Sequence, residues 1–413
     1  MVPKGWSIES LGNVTNKVGS GVTPKGGSNS YKSSGVPLIR SQNVLWGKLD
    51  LSDVAYIDDK QHNKMKGSFV CKNDVLLNIT GASIGRVAVS DIDEANVNQH
   101  VCIIRSEELN SEYLKSFLLS FQGQKQIEQC QAGGNRQGLN FEQIKSFKVP
   151  VPPLPEQQKI AKILSTWDKA ISATERLIDN SSQQKKALMQ RLLTGKKRLL
   201  DDEGQRFGGE WERLKLEDVV TKTQLGTSER TKDVEEISTI PLIKMGNLTW
   251  GGFSFDKLET LPKSKVDESL ILKSGDFLFN TRNTPELVGK SAVWKEQKVQ
   301  ATFDNNINRI TFNQNINTDF MCLYLTYGKG KSLISSLSAG STSVAAIYWK
   351  DLKNIKLPVP TLSEQQKIAT VLTTADKEIE LLEQQLADLQ QEKKALMQVL
   401  LTGKKRVVVD GEG

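Results

Sequence analysis

Cysteine and histidine are scarce in this chain. Four cysteines (Cys71, Cys102, Cys130, Cys322) are scattered through 413 residues with no CxxC pair. That spacing argues for buried thiols in a reducing compartment, against a disulfide framework or a thiolate metal site. The two histidines, His62 and His100, have no partner at metal-ligand spacing, so no metal ligand is assigned and a histidine-based hydrolase is not expected. No apolar run approaches the ~18 residues of a membrane helix. The N-terminus, MVPKGWSIES, lacks the apolar stretch of a signal peptide. A cytoplasmic protein without membrane contact is expected.

Catalytic motifs are missing too. The adenine-methyltransferase tetrapeptide, an acidic or amide residue followed by Pro-Pro and an aromatic, does not occur; the only Pro-Pro is Pro152-Pro153. Gly289-Lys290-Ser291 and Gly330-Lys331-Ser332 imitate the end of a phosphate loop. The glycine such a loop needs five residues earlier is Thr284 in one case and Leu325 in the other. Pro285-Glu286 with Lys290 lacks the acidic partner of a nuclease site. No catalytic residue is assigned.

What the chain does have is a long internal repeat. Pro150–Arg198 and Pro358–Arg406 align without a gap, 208 residues apart, with 30 of 49 positions identical. The repeat divides the chain into a domain at 1–150, a helical region at 151–200, a second domain at 201–357, a second helical region at 358–406 and a tail at 407–413. The net charges of the first four parts (the last taken with the tail, to 413) are +3, +6, 0 and −2, summing to the overall +7. A basic balance is compatible with a polyanionic partner.

Each repeat reads as one helix. In the second copy Ile368, Leu372, Ala375, Ile379, Leu382, Leu386, Leu389, Leu396 and Leu400 recur in alternating steps of four and three, with Lys393 filling the one gap. This is a coiled-coil seam. The first copy matches it with Ile160, Leu164, Trp167, Ile171, Ile178, Leu188 and Leu192, interrupted by Thr174, Ser181 and Lys185. Ser363 with Gln366 suggests a capping box, Pro155 sits at the matching start, and Gly195 and Gly403 stand at C-cap positions. Glu156 to Thr194 would span about 58 Å as a helix.

Connectivity favours antiparallel packing, because the second domain then leaves one helix and enters the other at neighbouring ends. The expected register sets Ile160 against Leu400, Ile171 against Leu389 and Ile178 against Leu382. It also places Trp167 by Lys393 for a cation–π contact and Lys185 by Ala375.

The two domains share anchors. Trp6 matches Trp211, and Pro37-Leu38-Ile39-Arg40 with Asn43, Trp46 and Gly47 matches Pro241-Leu242-Ile243-Lys244 with Asn247, Trp250 and Gly251. VLLNI, GRVAV, FLFN and KSAVW read as strands, and Tyr113–Gln131 and Phe320–Leu337 as helices. The expected fold is α+β. Two globular domains are joined by two long helices in an antiparallel coiled coil, a pseudo-two-fold tandem repeat.

The doubled EQQKIA and doubled KKALMQxLLTGKKR, with domain, helix, domain, helix along the whole chain, resemble the specificity subunits of type I restriction–modification systems. The resemblance implies two target recognition domains, each reading one half of a bipartite, asymmetric duplex-DNA sequence. It implies helices that set the unread spacer and bind two modification subunits, which methylate adenine from S-adenosylmethionine. Restriction subunits using ATP and Mg complete the assembly, and no cofactor is bound by the specificity chain itself. Glu156-Gln157-Gln158 and Glu364-Gln365-Gln366 are candidate contacts for the modification subunits.

Base readers are usually Arg, Lys, Asn or Gln on loops. The candidates are Asn135, Arg136 and Gln137, then Arg40, Asn43 and Arg86, in the first domain. In the second they are Ser341, Thr342 and Ser343, then Lys244, Asn247 and Arg282. The competing function is a coiled-coil scaffold joining two protein-binding domains.

Overall fold

The computed structural model describes residues 2–131, 138–230, 238–295, 300–340 and 344–409, with the backbone alone at 339–340. The chain divides into two compact units, Met1–Leu177 with Glu383–Gly413, and Ile178–Leu382. Each unit therefore holds one globular domain and a part of both long helices.

The first domain is built on a four-stranded antiparallel sheet. Its order is Lys17–Ser20, Val101–Arg105, Val75–Asn78, Val87–Val89. Side chains alternate across a strand, and this sheet is buried on both faces. Leu76, Ala88 and Ile103 point one way, into a core with Ile39, Val70 and Val97 of a second, mixed sheet. That sheet runs Ala55–Ile57, Val36–Ile39, Ala95–Val97, Phe69–Val70. Val75, Leu77, Cys102 and Ile104 point the other way, onto Leu114, Phe117 and Leu118 of the helix Ser111–Leu119. Each buried Val, Leu, Ile or Phe among these contributes roughly 1.5–3 kcal/mol.

The second domain repeats the plan. Its main sheet runs Val220–Leu225, Ile307–Phe312, Phe277–Asn280, Ser291–Val293, and Leu278 and Ala292 pack on Ile243, Trp294 and Phe303. Phe277, Phe279 and Ile310 pack on the helical side with Phe320 and Leu325.

The single helix expected in each domain is broken in two. Ser111–Leu119 is followed by Phe121–Gln131, and Thr318–Thr326 by Gly328–Ser336. The break folds one piece tightly against the other. A Cβ on Gly123 would lie 2.3 Å from the Phe117 carbonyl oxygen, and one on Gly330 1.9 Å from that of Tyr324. Only glycine permits that approach.

The long helices span Leu154–Leu192 and Leu362–Leu400, 39 residues each. They begin two residues before the expected starts, so Ser363 lies inside the first turn. They are antiparallel. In one unit Ile160, Ala161 and Leu164 pack with Leu396, Leu400 and Leu401. In the other Leu188, Met189, Leu192 and Leu193 pack with Ile368, Ala369 and Leu372. Near the helix centres Trp167, Ile171, Ile178, Ala375, Ile379, Leu382, Leu386 and Leu389 are half-buried.

The seam lysines behave differently from expectation. Lys393 binds the Asp168 carboxylate, and Lys185 that of Asp376, each one residue beyond its expected neighbour. A carboxylate within reach outcompetes an indole face or a methyl group.

The ends of the repeat carry the joints between helix and domain. Gly195 and Gly403 adopt φ of 68° and 71°. Gly195 N–H bonds to Leu192 O and Lys197 N–H to Arg191 O; Gly403 to Leu400 and Lys405 to Val399 repeat the pattern. In both, a glycine in the left-handed region caps the helix.

The arginine that follows each cap then reaches a buried carboxylate at the start of the antiparallel partner helix. Arg198 Nε and Nη2 donate to Glu364 at 2.6 and 2.7 Å, and Trp211 Nε1 adds a bond at 3.2 Å. Arg406 holds Glu156 in the same way, with Trp6 Nε1 at 3.2 Å.

The neighbouring glutamines are equally committed. Gln157 Oε1 accepts from Asn110 N–H at 2.8 Å, and Gln365 Oε1 from Asn317 N–H at 2.8 Å. Their amides donate to Pro152 and Pro360 carbonyls and into the domain loops at Glu108 and Asn315. Glu156, Gln157, Glu364 and Gln365 are buried. Their place is internal rather than on a partner surface, and only Gln158 and Gln366 of those triplets are exposed.

Candidate nucleic-acid interface

In each domain a buried asparagine closes the turn that follows the Pro-Leu-Ile strand. Asn43 accepts from Arg40 N–H at 3.0 Å and donates to Asp50 O at 3.0 Å. Asn247 accepts from Lys244 N–H at 3.1 Å and donates to Ser254 O at 3.1 Å. These two expected base readers are therefore spent on the backbone and buried, which takes them off the surface. Asn78 and Asn280, both fully buried, brace the adjoining loops, donating to Ser41 O at 2.8 Å and Arg282 O at 3.0 Å.

On this frame the first domain opens a cavity of about 420 Å³ lined by Ser41, Gln42, Thr80, Gly81, Ala82, Ser83, Arg86 and His100. Thr80 Oγ1 is 2.6 Å from His100 Nδ1, and Gln99 Nε2 is 3.1 Å from His100 Nε2. Among the described residues the lining is rich in hydrogen-bonding groups and carries one guanidinium and no carboxylate. That combination suits base edges and phosphate oxygens. Arg40, by contrast, is engaged. Its Nη2 donates to Asp53 O at 3.0 Å, and its guanidinium lies 5.6 Å from the centre of the Tyr31 ring.

Asn135, Arg136 and Gln137 lie outside the described residues. The next residue, Gly138, bridges to Thr80.

The second domain presents other residues at the matching places. Pairing Asn280 with Ile307, as Asn78 pairs with Val101, sets Arg282 opposite Thr80, Lys290 opposite Arg86 and Asn306 opposite His100. Arg282 is exposed on the strand Arg282–Asn283, which pairs with Ala345–Ala346, itself paired with Ala339–Gly340. Ser341, Thr342 and Ser343 lie outside the described residues, between these last two strands. Lys244 is held by Glu259 at 2.7 Å. Asp304, buried beneath this face, has its carboxyl pushed above the usual range by loss of water, opposed by the Asn306 N–H and by Arg230 and Lys244.

Gln42, Thr80, Ser83 and His100 were not among the expected readers. Their signal was the run Thr80-Gly81-Ala82-Ser83, whose small polar residues leave open space beside a loop.

A family model described as the type I restriction modification DNA specificity domain matches residues 3–180 and again 208–391. The chain belongs to this family. The putative type I restriction enzyme MjaX specificity subunit of Methanocaldococcus jannaschii is 27% identical over 98% of this chain and 95% of its own length. The EcoKI specificity subunit of Escherichia coli K12 is 23% identical over 89% of this chain and 81% of its own. The crystal structure of the S subunit from M. genitalium superimposes with a TM-score of 0.60 at 14% identity, covering 97% of this chain and 96% of that one; it supports the fold.

The chain is thus a type I restriction–modification specificity subunit with two tandem DNA-recognition domains. Among the described residues no group of His, Cys, Asp and Glu could hold a metal ion, and no helix is long and apolar enough to cross a membrane.

Proposed function

We propose that each domain reads one half of a bipartite, asymmetric DNA target. The first reads through the face around Gln42, Thr80, Arg86 and His100, the second through Arg282, Lys290 and the hairpin beside them. One observation carries this reading. The turn held by Asn43 recurs in the second domain, held by Asn247 through the same backbone bonds, while the residues mounted beside it differ. A shared frame fixes how DNA is met, and different side chains give different half-sites.

The antiparallel helices set the unread gap. For both faces to meet one side of the duplex, the half-sites lie one helical turn apart, about 34–36 Å, or a multiple of it. The chain itself is non-catalytic in this reading. Two modification subunits transfer methyl groups from S-adenosylmethionine, and restriction subunits supply ATP- and Mg-dependent cleavage in the cytoplasm. Single-molecule sequencing of adenine methylation, in a host expressing this chain with its modification subunit, tests the proposal. A two-part motif with a fixed gap, lost without this chain, is expected. An unmethylated genome beside an assembled complex would refute it.

A further inference from the structure

Where the second domain meets the end of the helix Leu154–Leu192, a cavity of about 890 Å³ opens, and none of the reading residues named above lines it. Four cations stand around it, Lys196, Arg213, Lys329 and Lys356, with no carboxylate in the described lining. None of the four has an ion pair among the described residues. Like charges gathered without a counter-charge repel one another, so folding does not explain them. The helix Gly328–Ser336 starts here too, with no side chain capping it and no acidic residue in its first turn. Its free N–H groups add to the attraction for an anion.

The inner wall is apolar and aromatic. Met189, Leu193 and Tyr324 are buried, and Tyr327 lines the cavity with them. Tyr324 is only 6% exposed, yet its hydroxyl has no hydrogen-bond partner among the described residues. That oxygen is not sealed inside the protein, so it opens on the cavity. Burial raises the pKa of this hydroxyl, and the Arg213 charge opposes the rise. A buried tyrosine usually finds a partner for its O–H, and here the partner has to come from within the cavity.

The first domain shows the same place without such a site. Ile8 pairs with Pro150 as Arg213 pairs with Pro358, so Ile8 stands for Arg213. Counted from the capping asparagines Asn110 and Asn317, Phe117 stands for Tyr324, Phe121 for Gly328 and Gln122 for Lys329. Lys148, the match of Lys356, is tied to Ser10 Oγ at 2.8 Å. Two cations and a hydroxyl are thus missing there, and a phenyl side chain grows where Gly328 leaves open space. In the second domain each of these four differences adds charge, a hydrogen-bonding group or room.

We infer that this cavity binds one nucleoside polyphosphate per chain, with the base against the tyrosines and the apolar wall and the phosphates against the four cations. The volume lies within the roughly 300–1,000 Å³ of small-ligand sites. A DNA duplex could use the cations at the mouth, but its phosphates lie on a convex surface and would leave the inner wall and the Tyr324 hydroxyl untouched.

Isothermal titration calorimetry of the full chain with ATP tests this. One ATP per chain is expected, with adenosine and inorganic triphosphate each at least ~10-fold weaker. Arg213→Ile with Lys329→Gln, which installs the first domain's residues, should weaken ATP at least ~10-fold at an unchanged thermal midpoint. Lys196→Gln with Lys356→Gln should do the same from other elements, and Tyr324→Phe should cost about 3- to 10-fold. No ATP bound to the folded chain, or ATP bound unchanged by both double variants, would overturn the site. Inorganic triphosphate binding as tightly as ATP would overturn the nucleotide. Loss of duplex binding in the double variants with ATP unaffected would assign the cations to DNA and overturn the inference as well.

Discussion

Removing one arginine should loosen one joint and spare the other. Glu364 is fully buried, and Arg198 supplies its charge partner through two bonds of 2.6 and 2.7 Å. Arg198→Met leaves that carboxylate buried with only the Trp211 N–H. Breaking a buried pair from one side costs about 3–5 kcal/mol. At 1.4 kcal/mol per factor of ten, local opening should become about 100 to 4,000 times more frequent.

Hydrogen exchange measured by mass spectrometry on peptides covering Leu362–Leu372 and Trp211–Lys215 reads this directly. The equivalent joint at Glu156 and Arg406 serves as a control within the same molecule and should not change. Replacing both partners, Arg198→Met with Glu364→Leu, should restore most of the protection, because no unpaired charge remains. A single variant whose exchange rises less than about threefold, or a double variant as labile as the single, would refute the reasoning.

Other consequences follow from the same structure. Gly330→Ala places a Cβ within 1.9 Å of a carbonyl oxygen; it should destabilise the second unit by about 1–3 kcal/mol or more, seen as an earlier thermal transition. Asn43→Ala should cost the first domain about 1–3 kcal/mol by orphaning buried backbone groups. Arg86→Ala should leave the thermal midpoint unchanged and reduce methylation through one half-site only. Burial pushes the Cys102 and Cys322 thiols up to about 12 from an ordinary 9.0. Folding therefore holds the proton that the unfolded chain would release. Stability should be unaffected below pH about 9 and fall above it, by roughly 1.4 kcal/mol per pH unit per thiol. Iodoacetamide at pH 8.5 should label exposed Cys71 and spare both buried thiols.

Much of the architecture is legible in the sequence because the helix pair has a simple period and the repeat aligns without a gap. The alternation of Val75, Leu76 and Leu77, all buried, hid which face met which layer, since a strand covered on both sides has no polar side to read. Broken helices at Ser120 and Tyr327 follow from backbone contacts that a glycine allows but a propensity scale does not reveal. The reading face was the least legible part. Asn43 and Asn247 have the side chains of base readers, and only the hydrogen bonds to Asp50 and Ser254 show that they hold turns. Thr80 and Ser83 share one short run, but Gln42 and His100 reach it from other loops, so no local pattern groups the four. Glu156 and Gln157 looked like an exposed helix start, and their burial depends on Arg406 and Asn110, 250 and 47 residues away.

A common frame carries two different readers. To test this, residues 214–356 are replaced with residues 9–148, so that the first domain occurs twice on the unchanged helices, and adenine methylation is mapped with the modification subunit present. The target should then have two halves of the same sequence on opposite strands, with the gap between them kept. An unchanged asymmetric motif from a folded, assembled complex would contradict it.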